Sequence, residues 1–242
     1  MDNTSEGRIA MVKNKTSIII VTWNALSFFK SAVNHVRTNT PNDYELIVVD
    51  NGSRPEMVEY IKSLGCKAIF NDGNFGPGKA FNQGIDISDG EYICLLNSDA
   101  DVIGTNWLND MLITINSDAS IGIVGPTCDN VSSIQNEPHR RNGDDYLIQT
   151  GYVMPFVCVL MRRDIFKTIG LIAERFTQGC SEDSEFCTRL DKSGYKKMVS
   201  AKAFVHHHLN QSYKDNNVNA SEACFAMSRK EGETEEIKFL SK

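Results

Sequence analysis

Short apolar runs rich in β-branched residues recur along this chain, each followed by a segment with the spacing of a helix. "TSIIIVTW" (16–23) precedes "NALSFFKSAVNHVRTNT", in which Leu26, Phe29, Val33 and Val36 fall on one helical face. "YELIVVDNGS" (44–53) is a second run and predicts a helix over about 55–64, and "KAIFN" (67–71) is a short third strand. A Gly-rich turn, "NDGNFGPGKAFNQGI", leads into the next helix. "EYICLLNSDAD" then reads as a fourth strand, "NWLNDMLITIN" as a helix and "IGIVGPT" as a fifth strand. Continuous apolar strands alternating with helices require a mainly parallel sheet covered on both faces. In such sheets ligands sit beyond the carboxyl ends of the strands. Thr22, Asn24, Asp50, Asn51, Asp99 and Asp101 all fall at those ends.

From about residue 130 the pattern changes. "DNVSSIQNEPHRRNGDDYL" is a polar stretch of loop character, long enough to suggest function or mobility. "VMPFVCVLMRRDIFKTIG" predicts a strand and a short helix, "CSEDSEFCTRLDKSG" a helix opened by acids and stopped at Gly194. "KKMVSAKAFVHHHLNQS" predicts a last strand ending in three histidines. Residues 1–15 read as a disordered lead, 16–213 as one domain, and 214–242 as a charged tail; within the domain, 16–129 and 130–213 form two functional halves.

The chain of 242 residues suits one α/β domain. A formal charge of −6 argues against a protein built to grip nucleic acid, though a small anionic ligand held by local dipoles or a metal remains compatible with it. Seven cysteines are scattered without a C-x-x-C pair, which suits reduced buried thiols in a cytoplasmic protein. The polar N-terminus has no apolar core of a secretory signal, and no run approaches the roughly 20 apolar residues of a membrane helix. A soluble protein is expected.

Acidic pairs in loops are usually solvated turn formers. Asp99 and Asp101, however, follow a buried strand, where two carboxylates can share a hard divalent cation that removes their repulsion. In a strand, neighbouring side chains alternate faces, so at most one or two of His206, His207 and His208 can serve one site; a neutral imidazole there could complete a metal site begun by the aspartates. Glu182 and Asp183 at a helix start could merely favour the helix dipole, or one could act as a general base. The dipole would favour the ionised form. "GNFGPGKAFNQG" is neither a dinucleotide fingerprint nor a Walker loop, yet it offers close backbone approach and Lys79 near a helix start, which suits a diphosphate.

Together "IIIVTWN", "LIVVDNGS", "NFGPGKAFNQGI", "YICLLNSDAD", "GCSEDSEFCTRL" and "VHHHLNQS" resemble, in order and spacing, the family 2 glycosyltransferases. The likeness is to inverting, rhamnosyltransferase-like members and covers roughly residues 16 to 213. It implies a GT-A fold: a Rossmann-like, mainly parallel sheet flanked by helices, with a mixed acceptor-side C-terminal half. It implies a donor that is a nucleotide-diphosphate sugar of the UDP, dTDP or GDP type and a glycan, lipid-linked or peptide acceptor. Thr22, Asn24 and Asp50 would grip the nucleoside, and Asn74, Gly76, Lys79 and Asn82 would border the nucleotide. Mn²⁺ or Mg²⁺ would sit on the D-x-D element. There the register stays open between Asn97 with Asp99 and Asp99 with Asp101, and Asp99 belongs to both. The late histidine matches His207, five residues before Ser212, although its neighbours leave the choice open. The base matches Asp183, with Glu182 beside it. The resemblance leaves open peripheral contact with the inner face of a membrane. Two rivals remain: a silent sugar-nucleotide-binding module, which needs no base, and a nucleotidyltransferase, for which the chain offers no basic glycine-rich segment after its first strand.

Overall fold

The computed structural model describes residues 15–131, 133–136, 143–177 and 181–219. The expectations for the lead up to residue 14, for part of the polar stretch, and for the tail from residue 220 lie outside the described residues.

The expected alternation is present: β1 (Thr16–Thr22), α1 (Leu26–Asn39), β2 (Tyr44–Asp50), α2 (Pro55–Ser63), β3 (Lys67–Phe70), α3 (Pro77–Asp86) and β4 (Tyr92–Asn97). There follow β5 (Ala100–Ile103), α4 (Trp107–Asn116), β6 (Ile121–Cys128), β7 (Tyr146–Ile148), β8 (Cys158–Arg162) and α5 (Ile165–Ile169). The chain then forms α6 (Glu182–Lys192), β9 (Lys196–His207) and α7 (Gln211–Asp215). Along the sheet the order is β3-β2-β1-β4-β8-β6-β9-β5, with β7 also pairing β9. The first four strands are parallel; β8 enters antiparallel to both β4 and β6, and β5 and β7 are antiparallel to β9.

Alternate residues of each strand feed opposite faces. Ile18, Ile20 and Val48 pack with Phe29 and Val33 of α1, Met57 and Ile61 of α2, and Trp107 of α4. Ile19, Ile47, Ile93 and Leu95 pack with Phe81 and Ile85 of α3 and with Ile165, Phe186 and Leu190 of α5 and α6. This two-sided cover is why the middles of the central strands, residues 18–21, 46–49 and 93–96, are unbroken apolar runs. Among the described residues no helix is long and apolar enough to cross a membrane.

One element differs from its sequence reading. The fourth strand does not run through Asp101 but breaks at Ser98-Asp99. β4 stays in the parallel sheet, with Asn97 opposite Val21, whereas β5 crosses to pair antiparallel with β9, Ala100 opposite His207 and Asp101 opposite His206. Two carboxylates cannot continue into an apolar sheet interior without hydrogen-bond partners. The histidine strand supplies them.

Candidate active site

Thr22 and Asp50 lie opposite one another at the carboxyl ends of β1 and β2, and Asn97 ends β4 on the other side of β1. Asp50 Oδ2 accepts from the Ser53 N–H at 3.2 Å, while its buried Oδ1 has no hydrogen-bond partner among the described residues. Burial pushes the Asp50 carboxyl above its ordinary value, against the hydrogen bonds from the 52–53 turn. Asn24 and Ala25 adopt left-handed backbone (φ 58° and 53°) and turn the chain from β1 into α1. Asn24 is saturated: its N–H donates to Ser53 Oγ at 2.8 Å, its Oδ1 accepts from Arg54 N at 2.7 Å, and its Nδ2 donates to Asn216 Oδ1 at 2.6 Å.

On the Gly-rich turn, Asn74 Oδ1 accepts from Gly76 N at 3.0 Å and from Asn51 Nδ2 at 3.3 Å. Lys79 carries its ammonium 4.1 Å above the Phe75 ring. The close backbone approach expected of the glycines is met by the chain itself. A Cβ on Gly76 would lie 2.7 Å from Thr177 Cα, and one on Gly78 would lie 2.4 Å from the Ala173 carbonyl oxygen. Asn82 likewise turns to this loop, bonding Ile172 and Glu174.

The aspartates beyond β4 face different partners. Asp99 is buried, with Oδ1 3.3 Å from His207 Nε2 and Oδ2 accepting from Gln211 N at 3.0 Å. Burial opposes its ionisation, but the hydrogen bond and charge of His207 together with the Gln211 N–H hold its carboxyl below the usual range. Asp101 turns toward α1, its Oδ2 taking Ser31 Oγ at 2.9 Å and His208 Nε2 at 2.8 Å, with His35 Nδ1 3.3 Å from Oδ1. The alternation along β9 sorts the histidines: the rings of His206 and His208 meet at 4.5 Å, and His207 faces the other way. His206 Nδ1 pairs with Asp129 Oδ2 at 2.6 Å. His207 is held by the next loop, its N–H donating to Asp129 Oδ1 at 3.0 Å and its carbonyl accepting from Asn130 Nδ2 at 3.0 Å.

Among the described residues no three carboxylate, imidazole or thiol groups converge as a metal cluster. The Asp99–His207 pair is nevertheless an oxygen and a nitrogen donor side by side at the mouth of the sheet. That set suits a hard divalent ion which takes its remaining ligands from substrate phosphates and water.

Glu182 and Asp183 open α6. Glu182 is 7% exposed and its Oε2 has no hydrogen-bond partner among the described residues. Burial, with the charge of Asp183 adding to it, pushes the Glu182 carboxyl up to about 8. Burial also raises Asp183, against the hydrogen bonds it receives from Ser184, of which the backbone one is 2.7 Å. The expectation that the helix dipole would favour the ionised acids is therefore overturned. A dipole at a helix start is worth about 0.3–1 kcal/mol at the surface, less than the desolvation of a buried carboxylate.

α7 joins these groups. Gln211 bonds Asp99, Asp215 accepts from the Ala25 N–H at 3.1 Å and pairs with Arg54, and Asn216 reaches Asn24 and the Trp23 carbonyl. Burial and the charge of Glu182 push the Tyr213 hydroxyl of this helix up to about 12.

Residues 17–170, more than half of the chain, match the glycosyl transferase family 2 model. The chain belongs to this family. The O-antigen biosynthesis protein RfbC of Myxococcus xanthus is 24% identical over 225 residues, 82% of this chain and 18% of RfbC. The uncharacterised glycosyltransferase YibD of Escherichia coli is 27% identical over 112 residues, 45% of this chain and 33% of YibD. The chain thus spans a third or less of the length of these two relatives. Among solved structures, a mannosyltransferase from Pyrobaculum calidifontis in complex with GDP-Man and Mn²⁺ superposes with a TM-score of 0.66 at 14% identity, over 93% of this chain and 68% of that one. S. aureus TarS 1-349 in complex with UDP-GlcNAc gives 0.61 at 16%, over 80% of this chain and 59% of that one. The fold of this family 2 member is GT-A.

Sequence reasoning missed the contacts of α7 and of the 129–130 turn. A five-residue helix carries too little periodicity to stand out, and Asp215 and Asn216 lie in what reads as a charged tail. The Asn51–Asn71–Gln83 amide network, with bonds of 2.9 Å, also went unread, since no spacing rule links those positions.

Proposed function

We propose that this family 2 member transfers a sugar, with inversion, from a nucleoside-diphosphate sugar to an acceptor hydroxyl. The observation that carries this reading is the acid pair that opens α6, with Glu182 buried and its Oε2 unpartnered among the described residues, in a protein that also pairs Asp99 with His207 beyond β4. A module that only bound sugar nucleotides would gain nothing from two neighbouring carboxyls that burial holds above their ordinary range. Asp99 and His207 would hold Mn²⁺ or Mg²⁺, which when bound neutralises charge developing on the diphosphate leaving group. Asp101, engaged by Ser31, His35 and His208, would order the turn that presents Asp99.

Thr22 and Asp50 would seat the nucleoside, the unpartnered Oδ1 of Asp50 accepting a hydrogen bond from it. Asp183, half-buried and held above its ordinary value, would take the proton from the acceptor hydroxyl as that oxygen attacks the anomeric carbon and the diphosphate departs. Glu182, pushed up to about 8, would hold a proton beside Asp183. The test is incubation with UDP-, dTDP- and GDP-sugars, Mn²⁺ and acceptor sugars. Release of nucleoside diphosphate with an inverted anomeric product is expected. Release of pyrophosphate, or no turnover of any donor, refutes the reading.

A further inference from the structure

We propose that Asn82 is a positioning residue: from α3 it holds the 170–177 loop, and through that loop the Glu182–Asp183 acids. The inference rests on the reading of Asp183 as the base. Asn82 is 7% exposed and its amide is committed inside the protein. Nδ2 donates to the Ile172 carbonyl at 2.8 Å and to Glu174 Oε1 at 2.9 Å, while Oδ1 accepts from the Ile172 N–H at 3.0 Å. One side chain thereby pairs both backbone groups of Ile172, as a neighbouring strand would. A nucleotide would have to break buried bonds to use this amide, leaving the Ile172 groups unpaired.

The rest of the interface is built to the same end. Gly78 and Gly76 omit the side chains that would lift the loop from α3, since a Cβ at either would meet Ala173 O at 2.4 Å or Thr177 Cα at 2.7 Å. Ile172 itself packs into the core beneath α3, with Phe81 and Ile85 in the same cluster. From the opposite side Arg189 of α6 reaches the loop, donating to the carbonyls of Ile169, Gly170 and Leu171, the last at 2.8 Å. Glu185 fixes that guanidinium at 2.7 Å. Arg189 and Glu185 stand on the helix whose first turn carries Glu182 and Asp183. The loop is therefore clamped between the helix that follows the donor-side turn and the helix that presents the acids. A base displaced by about 1 Å can cost about 10²-fold in rate.

Asn82→Ala and Gly78→Ala attack this interface from its two sides. Both are expected to lower kcat for sugar transfer by about 10–10²-fold. Calorimetric Kd values for UDP, dTDP and GDP with Mn²⁺ should stay within about two-fold of the parent protein, far short of the shift a lost polar contact would cause. Amide hydrogen exchange at Ile172 should accelerate, because its acceptor is lost or displaced. Asn82→Asp has the same shape and keeps the acceptor but loses the donor to Ile172. It serves where alanine does not fold, and must also lower kcat with nucleotide affinity preserved. Weaker nucleotide binding with kcat unchanged makes Asn82 a donor contact and overturns the proposal. Faster exchange at Ile172 with unchanged kcat overturns it as well. Transfer by the parent protein with no loss in any variant rejects the clasp alone, whereas a parent protein that transfers no sugar rejects the base reading and the clasp with it.

Discussion

Glu182→Gln should make the stability of this fold less sensitive to pH. In the folded chain the Glu182 carboxyl is pushed to about 8 by burial and by Asp183, whereas in the unfolded chain it returns to about 4.3. Between those values the folded state keeps a proton that the unfolded state has released. Stability therefore falls as pH rises through that window, and levels once the folded carboxyl has also ionised. At about 1.36 kcal/mol per pH unit, the full contribution reaches up to about 5 kcal/mol. Glutamine has the shape of the protonated acid and does not titrate. The variant should match the parent protein near pH 4, gain on it steadily up to about pH 8, and hold a constant advantage beyond. Urea unfolding across that range, with the slope unchanged, gives the difference directly. An advantage of at least about 2 kcal/mol at pH 9 is expected. Part of the slope survives in this variant, because burial also raises Asp183. Parallel stability curves for variant and parent would refute the claim that the folded state holds Glu182 neutral.

Asp99→Ala should abolish the Mn²⁺ dependence of nucleotide binding while leaving the fold intact; calorimetry with and without chelator checks this, and an unchanged metal dependence removes Asp99 from the site. Asp50→Ala should weaken binding of the bare nucleoside diphosphate by about 1.5–3 kcal/mol, the scale of a hydrogen bond to a charged group. Unchanged affinity would leave Asp50 only its bond to the Ser53 turn. Asp183→Asn should keep nucleotide affinity yet lose about 10²–10⁴-fold in single-turnover transfer. Near-normal transfer would move the base to Glu182 or Glu185.

The elements of this chain are legible because their signals are local. "TSIIIVT" and "YELIVVD" each hold an unbroken apolar run, residues 18–21 and 46–49, as a parallel strand covered on both faces requires, and Phe29, Val33 and Val36 mark the buried face of α1 within two turns. That Thr22, Asp50 and Asp99 belong at strand ends follows from the same runs. What the sequence could not decide is what each polar group meets there. "YICLLNSDAD" reads as one strand until β9, more than a hundred residues later, offers histidines that draw Asp101 out of the parallel sheet. Gly76 and Gly78 announce a close approach, but whether a phosphate or the loop at 173–177 approaches depends on how the chain returns to α3. The ionisation of Glu182 and Asp183 depends on burial by distant segments, which outweighs the local helix dipole. Periodicity is a property of a dozen neighbouring residues; hydrogen-bond partners and desolvation belong to the packed chain, and only the tertiary structure assigns them.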